Sequence, residues 1–379
     1  MNSHEHEAEI AERTHETMEE MYVNMGPQHP STHGVLRLLL KLDGEVVTEV
    51  VPYIGYLHRC HEKIGENRVY TQIIPYTDRL DYLASMYNNW GFVLTVERLL
   101  GVTVPERAEY MRVILGELQR IASHLIWLGT FGLDLGNFTI FLYCFREREK
   151  ILDLFESVCG QRLNYAFYRI GGMPLDLPDS FVADCKAFLE WFKPRLSEYD
   201  AVMSDNIIFQ KRVQGLGILD PKTAINYAIS GPVLRGSGIK WDLRRNDPYS
   251  IYDRFEFDIP VGTSGDVWDR YMVRRIEMEE SVKIVEQALQ GLPSGEIMAK
   301  MPKKLKPPVG DIYSRVETPR GELGFYIVSD GSEKPYRYKV RAPTFVNLSV
   351  LPLIGRGYLV ADLVAILGSI DIVLGEVDR

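Results

Sequence analysis

The chain has 379 residues, 46% of them hydrophobic and 25% charged, with a formal net charge of −9. That length allows one large domain or two to three ordinary ones, and the composition is that of a soluble globular protein. No basic tract occurs, which argues against nucleic acid as a partner, because neutralising phosphates requires clustered Lys and Arg.

Residues 1–19 are polar and charged and are expected to be frayed. They lack the basic n-region and apolar h-region of a secretory signal. Residues 20–57 read as β-rich: VLRLLLKL (35–42) and EVVTEVVPYI (45–54) flank Asp43-Gly44, a strong hairpin signal. Just before them, GPQHPSTHG (26–34) carries His29 and His33. On a helix, this H-x-x-x-H spacing would put both rings on one face, as in zinc hydrolases. Pro30 instead pushes His29 toward extended geometry, and Gly26, Pro27 and Gly34 add turn chemistry. The rings are therefore presented by a loop that enters a strand. The glutamate that a zinc hydrolase needs is missing, which disfavours a metal-hydrolase reading. A pair of loop histidines without a role is the plain alternative.

Residues 65–293 are predicted to form a helical core. Thr103-Val-Pro105-Glu106 has the form of a capping box with proline in the first turn. After it, Met111, Ile114, Leu115, Leu118, Ala122 and Leu125 fall on one helical stripe, with Arg112, Glu117 and Arg120 off it. A second long helix is expected from Thr263-Ser-Gly-Asp266, with Val267, Tyr271, Met278, Val282, Val285 and Leu289 buried. Gly291 and Pro293 stop it. Residues 294–311 hold prolines and four lysines and read as a surface excursion. Strands return over 320–341, where ELGFYIVSD and YRYKVRAP are joined by Asp330-Gly331. The most apolar run, LVADLVAILGSIDIVLG (359–375), contains Asp362 and Asp371. Two central carboxylates disfavour a membrane span, so a buried or partner-facing helix is expected. The four cysteines, Cys60, Cys144, Cys159 and Cys185, form no C-x-x-C pair and offer no zinc or iron–sulfur cage. Scattered thiols fit a reducing, cytoplasmic compartment. The fold class is α+β, a mostly helical core with small antiparallel sheets at both ends.

Several stretches together carry a family resemblance: GPQHPSTHGVLRL (26–38), IGYLHRCHEK (54–63), YTDRLDY (76–82), RIASHLIWLG (120–129), SGPVLRGSGIKWDLRR (230–245) and LGSIDIVLGEVDR (367–379). From about residue 20 onward the chain resembles the D subunit of bacterial NADH:quinone oxidoreductase, respiratory complex I. That family is itself similar to the large subunit of nickel–iron hydrogenases. The resemblance implies one hydrogenase-large-subunit-like domain over 20–379, after the 1–19 segment. Within it lie β-rich regions at 20–57 and 320–345, the helical core at 65–293, and a tail, 346–379, packed into the site. A hydrogenase needs two C-x-x-C pairs. The first would fall near RVYTQI (68–73), which has no cysteine, and in the second Val373 and Glu376 take the likely ligand positions. With thiolate ligation lost at both ends, hydrogen chemistry is not expected and the chain is read as binding no metal.

The resemblance further implies that the emptied cavity holds the headgroup of a quinone, ubiquinone or menaquinone. A tetranuclear iron–sulfur (4Fe-4S) cluster in the neighbouring B subunit would supply electrons. His33 and Tyr82 match the family's quinone ligands, a histidine and a neutral tyrosine able to give up protons. Asp134, in GLDLGN (132–137), matches the carboxylate that pairs with the histidine. Arg59 and Arg79 match arginines near the cluster. Asn164, in RLNYAFYRIGG (162–172), stands where many members carry a histidine, and it cannot titrate. His29 is expected to hold its loop in shape. The implied partners are the B, C and I subunits of the complex and its membrane-embedded H subunit, at the cytoplasmic face of the membrane. No dinucleotide fingerprint appears, so NADH would bind another subunit. An equivalent subunit of a complex fed by ferredoxin or a reduced deazaflavin is the alternative. A hydrogenase-like scaffold with no chemistry of its own is a further reading, and it would not need His33, Tyr82 and Asp134 together.

Overall fold

A computed structural model describes residues 21–379; the 1–19 segment expected to be frayed lies outside them. The first sheet is antiparallel, in the order β1 (Met21–Met25), β2 (Arg37–Asp43), β3 (Val46–Tyr53). Leu38, Leu40 and Leu42 of β2 are buried and alternate with more exposed Arg37, Leu39 and Lys41, the period of a strand with one face on the core. The β2–β3 hairpin turns at Gly44, whose φ of +60° suits glycine.

The helical core comprises α1 (Tyr70–Thr77), α2 (Ser85–Leu100), α3 (Glu106–Asp134), α4 (Phe138–Cys159), α5 (Phe181–Tyr199) and α6 (Val267–Gly291). Helix α3 lies at the centre, packed along both α4 and α6. Its apolar stripe is buried as expected. The capping box at Thr103 does not form. The helix starts at Glu106 after Pro105, with no side-chain cap, and Glu106 and Glu109 complement the dipole of the first turn. Helix α6 starts as expected, with the Asp266 side chain accepting from Asp269 N at 2.9 Å.

The second sheet runs β4 (Gly310–Thr318), β5 (Gly321–Ser329), β6 (Arg337–Arg341) and is also antiparallel. Strand β4 overlaps the end of the segment read as a surface excursion and begins ten residues before the first expected strand. It is covered by α2 only along its second half, so its outer residues carry no apolar alternation. The C-terminal apolar run is two helices rather than one: α7 (Val360–Ile370) ends where Asp371 takes the left-handed conformation, and α8 (Leu374–Asp378) follows. Helix α7 packs on α3, on α6 and on the turn at Pro30–Thr32, which brings the two ends of the described chain together.

Off the apolar stripe of α3, Arg112, Glu117 and Arg120 are fully buried, because neighbours surround the helix on every side. The Glu117 carboxylate accepts from Tyr87 Oη (2.9 Å), Tyr252 Oη (2.6 Å) and Ser281 Oγ (2.7 Å). It also pairs with Arg120 (3.2 Å) and Arg244 (3.2 Å). Burial alone would push this carboxyl up, but the two guanidinium groups and the hydroxyl donors hold it at about 2. Its stabilising contribution is therefore present above the ordinary value of 4.5 and is lost as the pH falls toward 2. Glu117→Gln leaves the buried Arg120 guanidinium without its counter-charge, while Arg244 keeps Asp242 at 2.7 Å. The expected cost is about 3–5 kcal/mol, read as a lowered thermal unfolding midpoint. A midpoint equal to that of the unaltered protein would refute this account of the core.

Candidate functional site

The loop before β2 makes a single 3-10 turn at Pro30–Thr32. His29 caps its start: its backbone is extended, and its Nδ1 accepts from Ser31 N at 3.2 Å. His33 closes it in the left-handed region, with φ +49°. This backbone turns the His33 ring toward the C-terminal end of α3, where Nε2 lies 2.5 Å from Asp134 Oδ2. Both side chains are largely buried, at 14% and 8% exposure. The two histidines thus face different partners and do not converge on a common ion. Among the described residues, no group of three or more His, Cys, Asp or Glu side chains is arranged to hold a metal.

Tyr82 sits in the irregular segment between α1 and α2 and is half-buried. Burial, with the neighbouring Asp81 carboxylate, raises the Tyr82 phenol above its ordinary value, while Arg320 and Arg59 pull it back. The phenol is therefore a hydrogen-bond donor at neutral pH. His33, Tyr82 and Asp134 line one cavity of about 360 Å³ together with Trp127, Arg320 and Asp371. Leu83, Ile126, Ile372 and Val373 give it apolar walls.

Arg59 and Arg79 meet elsewhere. Arg59 Nη2 donates to Arg79 O at 2.5 Å, and both line a larger, open basin of about 730 Å³ with Arg68 and Gln72. No cysteine lines this basin. Three guanidinium groups make this open surface cationic. Asn164 holds a positive φ of +56°, and its buried Oδ1 has no partner among the described residues.

The C-terminal helix closes the cavity from behind. Gly375 lies so close to the Tyr82 segment that a Cβ would stand 2.6 Å from Leu80 O and 2.8 Å from Arg79 O. Asp378 accepts from Gly55 N at 2.8 Å and Leu57 N at 2.6 Å. Arg320, from the β4–β5 turn, is fully buried. It donates to Asp81 Oδ2 (2.7 Å), Asp371 Oδ1 (3.0 Å) and Ser123 Oγ (2.9 Å). Sequence reasoning missed Arg320 and Trp127 as lining residues. Arg320 adjoins a strand that was not foreseen, and Trp127 reads as one more apolar helix position.

A family model described as the 49 kDa subunit of respiratory-chain NADH dehydrogenase matches residues 134–308 and 300–379. The chain is 59% identical over 362 residues to the NADH-quinone oxidoreductase D subunit of Dehalococcoides mccartyi, covering 95% of this chain and 99% of that one. It is 55% identical over 360 residues to the D subunit of Desulforamulus reducens, covering 95% and 98%. To the Bacillus anthracis protein of the same name it is 54% identical over 361 residues, covering 95% and 99%.

Arg320→Met keeps side-chain length but strands Asp81 as a buried carboxylate and leaves Asp371 with Arg274 alone, at 3.8 Å. The expected cost is about 3–5 kcal/mol, with much faster hydrogen exchange at the amides of 371–379. Retained protection there would mean that apolar packing alone holds the tail in place.

Proposed function

Because the chain belongs to the family of the 49 kDa subunit of respiratory-chain NADH dehydrogenase, we propose that the His33–Tyr82–Asp134 cavity receives a quinone headgroup and supports its two-electron, two-proton reduction. One observation carries this reading. Three side chains from separate stretches, at positions 33, 82 and 134, line a single cavity with apolar walls, and two of them share a hydrogen bond of 2.5 Å. A volume of about 360 Å³ is at the lower end of the range for small-ligand pockets, about 300–1,000 Å³. It suits a quinone ring better than a large cofactor.

Each residue has a defined task on this reading. The Tyr82 phenol donates to one quinone carbonyl oxygen and gives up its proton as that oxygen gains charge. His33 serves the other side of the headgroup. Asp134 fixes the orientation of the His33 ring, and the apolar walls exclude competing water. Arg59, Arg79 and Arg68 face the iron–sulfur cluster of the neighbouring B subunit, which supplies the electrons. Their charge favours the more negative, reduced state of such a group. His29 shapes the loop through its bond to Ser31 N.

On this reading, residues 20–379 are one hydrogenase-large-subunit-like unit seated among the B, C and I subunits and the membrane-embedded H subunit. The described chain has no helix long and apolar enough to cross a membrane. A peripheral position at the cytoplasmic face of the membrane therefore suits it. The names of the relatives favour NADH as the donor of the whole assembly over ferredoxin or a reduced deazaflavin.

Tyr82→Phe tests the reading most directly. It keeps the ring and removes the donor. A lost hydrogen bond to a reacting oxygen costs about 1–3 kcal/mol, so quinone turnover of the assembled complex should fall roughly ten- to hundredfold. Reduction of the iron–sulfur clusters should proceed unchanged, since it precedes the quinone. Unaltered quinone turnover would remove Tyr82 from the site.

A further inference from the structure

The Tyr82 phenol is aimed by a segment with no regular structure of its own. Residues 78–84 link α1 to α2, so bonds to other parts of the chain must fix their course. Before Tyr82, Asp81 O accepts from Ala84 N at 3.0 Å and from the Asn88 amide at 2.8 Å. Asn88 lies on α2, the helix that the segment itself leads into, so these bonds travel with Tyr82. At Tyr82, the carbonyl oxygen makes one long contact, 3.5 Å, with Ser85 Oγ. After it, Leu83 O accepts from Gln119 Nε2 at 2.6 Å, and from no other donor among the described residues.

Gln119 differs from those partners in where it stands. It lies on α3, whose last residue is Asp134. The amide that holds Leu83 and the carboxylate that holds His33 thus belong to one unbroken helix. Arg320 also reaches α3, at Ser123, but it holds the Asp81 side chain rather than the backbone beside Tyr82. Leu83 is itself part of the cavity wall, together with Ile126 and Trp127 of α3. The amide has no second task. Gln119 is 2% exposed, and its Oε1 has no partner among the described residues. A buried amide with one polar end unpaired costs stability relative to an apolar side chain of its size. Core packing alone would be better served by leucine or methionine. On the same helix, Arg112, Glu117 and Arg120 are different, because each is matched by buried counter-charges.

We propose that Gln119 is a positioning residue for Tyr82: its bond to Leu83 O sets the aim of the phenol relative to the His33–Asp134 pair, so that both quinone oxygens meet their partners at once. This rests on the quinone reading of the cavity. Gln119 touches no quinone and moves no proton. It acts through the backbone of Leu83, one residue beyond Tyr82. Without this bond Tyr82 keeps its ring and its hydroxyl, but its segment is held from the Asp81 side alone and can turn away from α3. A reacting group misplaced by about 1 Å can lose about a hundredfold in rate.

The test is a double-mutant cycle in the assembled complex. Gln119→Met keeps the length and burial of the side chain and removes the donor. Alone, it should lower quinone-saturated turnover about tenfold, short of the larger loss because Asn88 and Arg320 still hold Asp81. KM for quinone should stay within about twofold. Reduction of the iron–sulfur clusters should be unchanged. In a Tyr82→Phe background the same substitution should change turnover by less than about twofold, since no hydroxyl is left to aim. A merely structural amide would cost the same factor in both backgrounds, and that additive result would overturn the proposal. Unaltered turnover in Gln119→Met alone, or slowed cluster reduction, would overturn it as well. Should the methionine variant fail to assemble, Gln119→Asn takes its place in the cycle. It keeps an amide but withdraws it from Leu83 O by one methylene, and the same pair of outcomes decides. Unaltered turnover in Tyr82→Phe alone would overturn the quinone reading and this proposal with it. A loss in Tyr82→Phe without one in the Gln119 variant would overturn this proposal and leave that reading standing.

Discussion

One buried guanidinium, Arg320, holds the candidate site together. It reaches Asp81 before Tyr82, Ser123 on α3, and both the side chain and the carbonyl oxygen of Asp371, where the C-terminal helices change direction. Three stretches far apart in sequence meet on one planar cation carried by a fourth, and its fork of donors fixes their relative orientation as a flexible ammonium could not. The site is thus built from the inside: the charge pairs set the backbone, and the backbone aims Tyr82 and closes the tail against it. Buried pairs of this kind contribute little net stability compared with apolar packing, but breaking one is costly. Their use here is to make a single arrangement far better than any other.

The rest of the core follows the same rule. Glu117, Arg120 and Arg244 form one buried group. Glu277, His124, Arg235 and Glu317 form a second, in which Arg235 bonds both acids at 2.9 and 2.8 Å. Arg274 lies against the Trp127 ring at 4.5 Å and near Asp371, between this second group and the cavity. Such an interior is α+β and helical as the hydrogenase-like family requires, with buried charge groups set inside a large apolar core. Periodicity cannot reveal this, because a charged residue off the apolar stripe reads as solvent-facing. Arg112, Glu117 and Arg120 look ordinary in sequence and are central in space.

What was legible followed from local chemistry. Asp43-Gly44 forces its own hairpin, and Asp266 caps its own helix; neither needs a distant partner. The proline-flanked loop at His29 and His33 was legible too, for Pro30 rules out a longer helix there. Expectations failed where a local signal competed with a distant one. Thr103 could cap α3 but the chain enters through Pro105. The 359–375 run keeps one apolar character throughout, yet it breaks at Asp371 because Arg320 holds that residue from another sheet. The meeting of His33 with Asp134 spans 101 positions, and no spacing rule reaches that far. Their identities and their pairing came from family resemblance, and the fold supplies the geometry of the contact.

The segment 78–82 is the wall between the arginine-lined basin and the cavity. Arg79 faces the one and Tyr82 the other, only three residues apart. Across so thin a wall, charge on one side is felt on the other. Arg59, on the basin side, already lowers the proton affinity of Tyr82. On the proposed reading, an electron arriving on the basin side opposes that effect and tightens the hold of Tyr82 on its proton. The grip is released when the electron passes through the wall and its charge appears on the quinone oxygen itself. On that reading, a phenol in this position gives its proton to a reduced quinone and withholds it from an oxidised one, and the order of electron and proton transfer would follow from where the arginines stand.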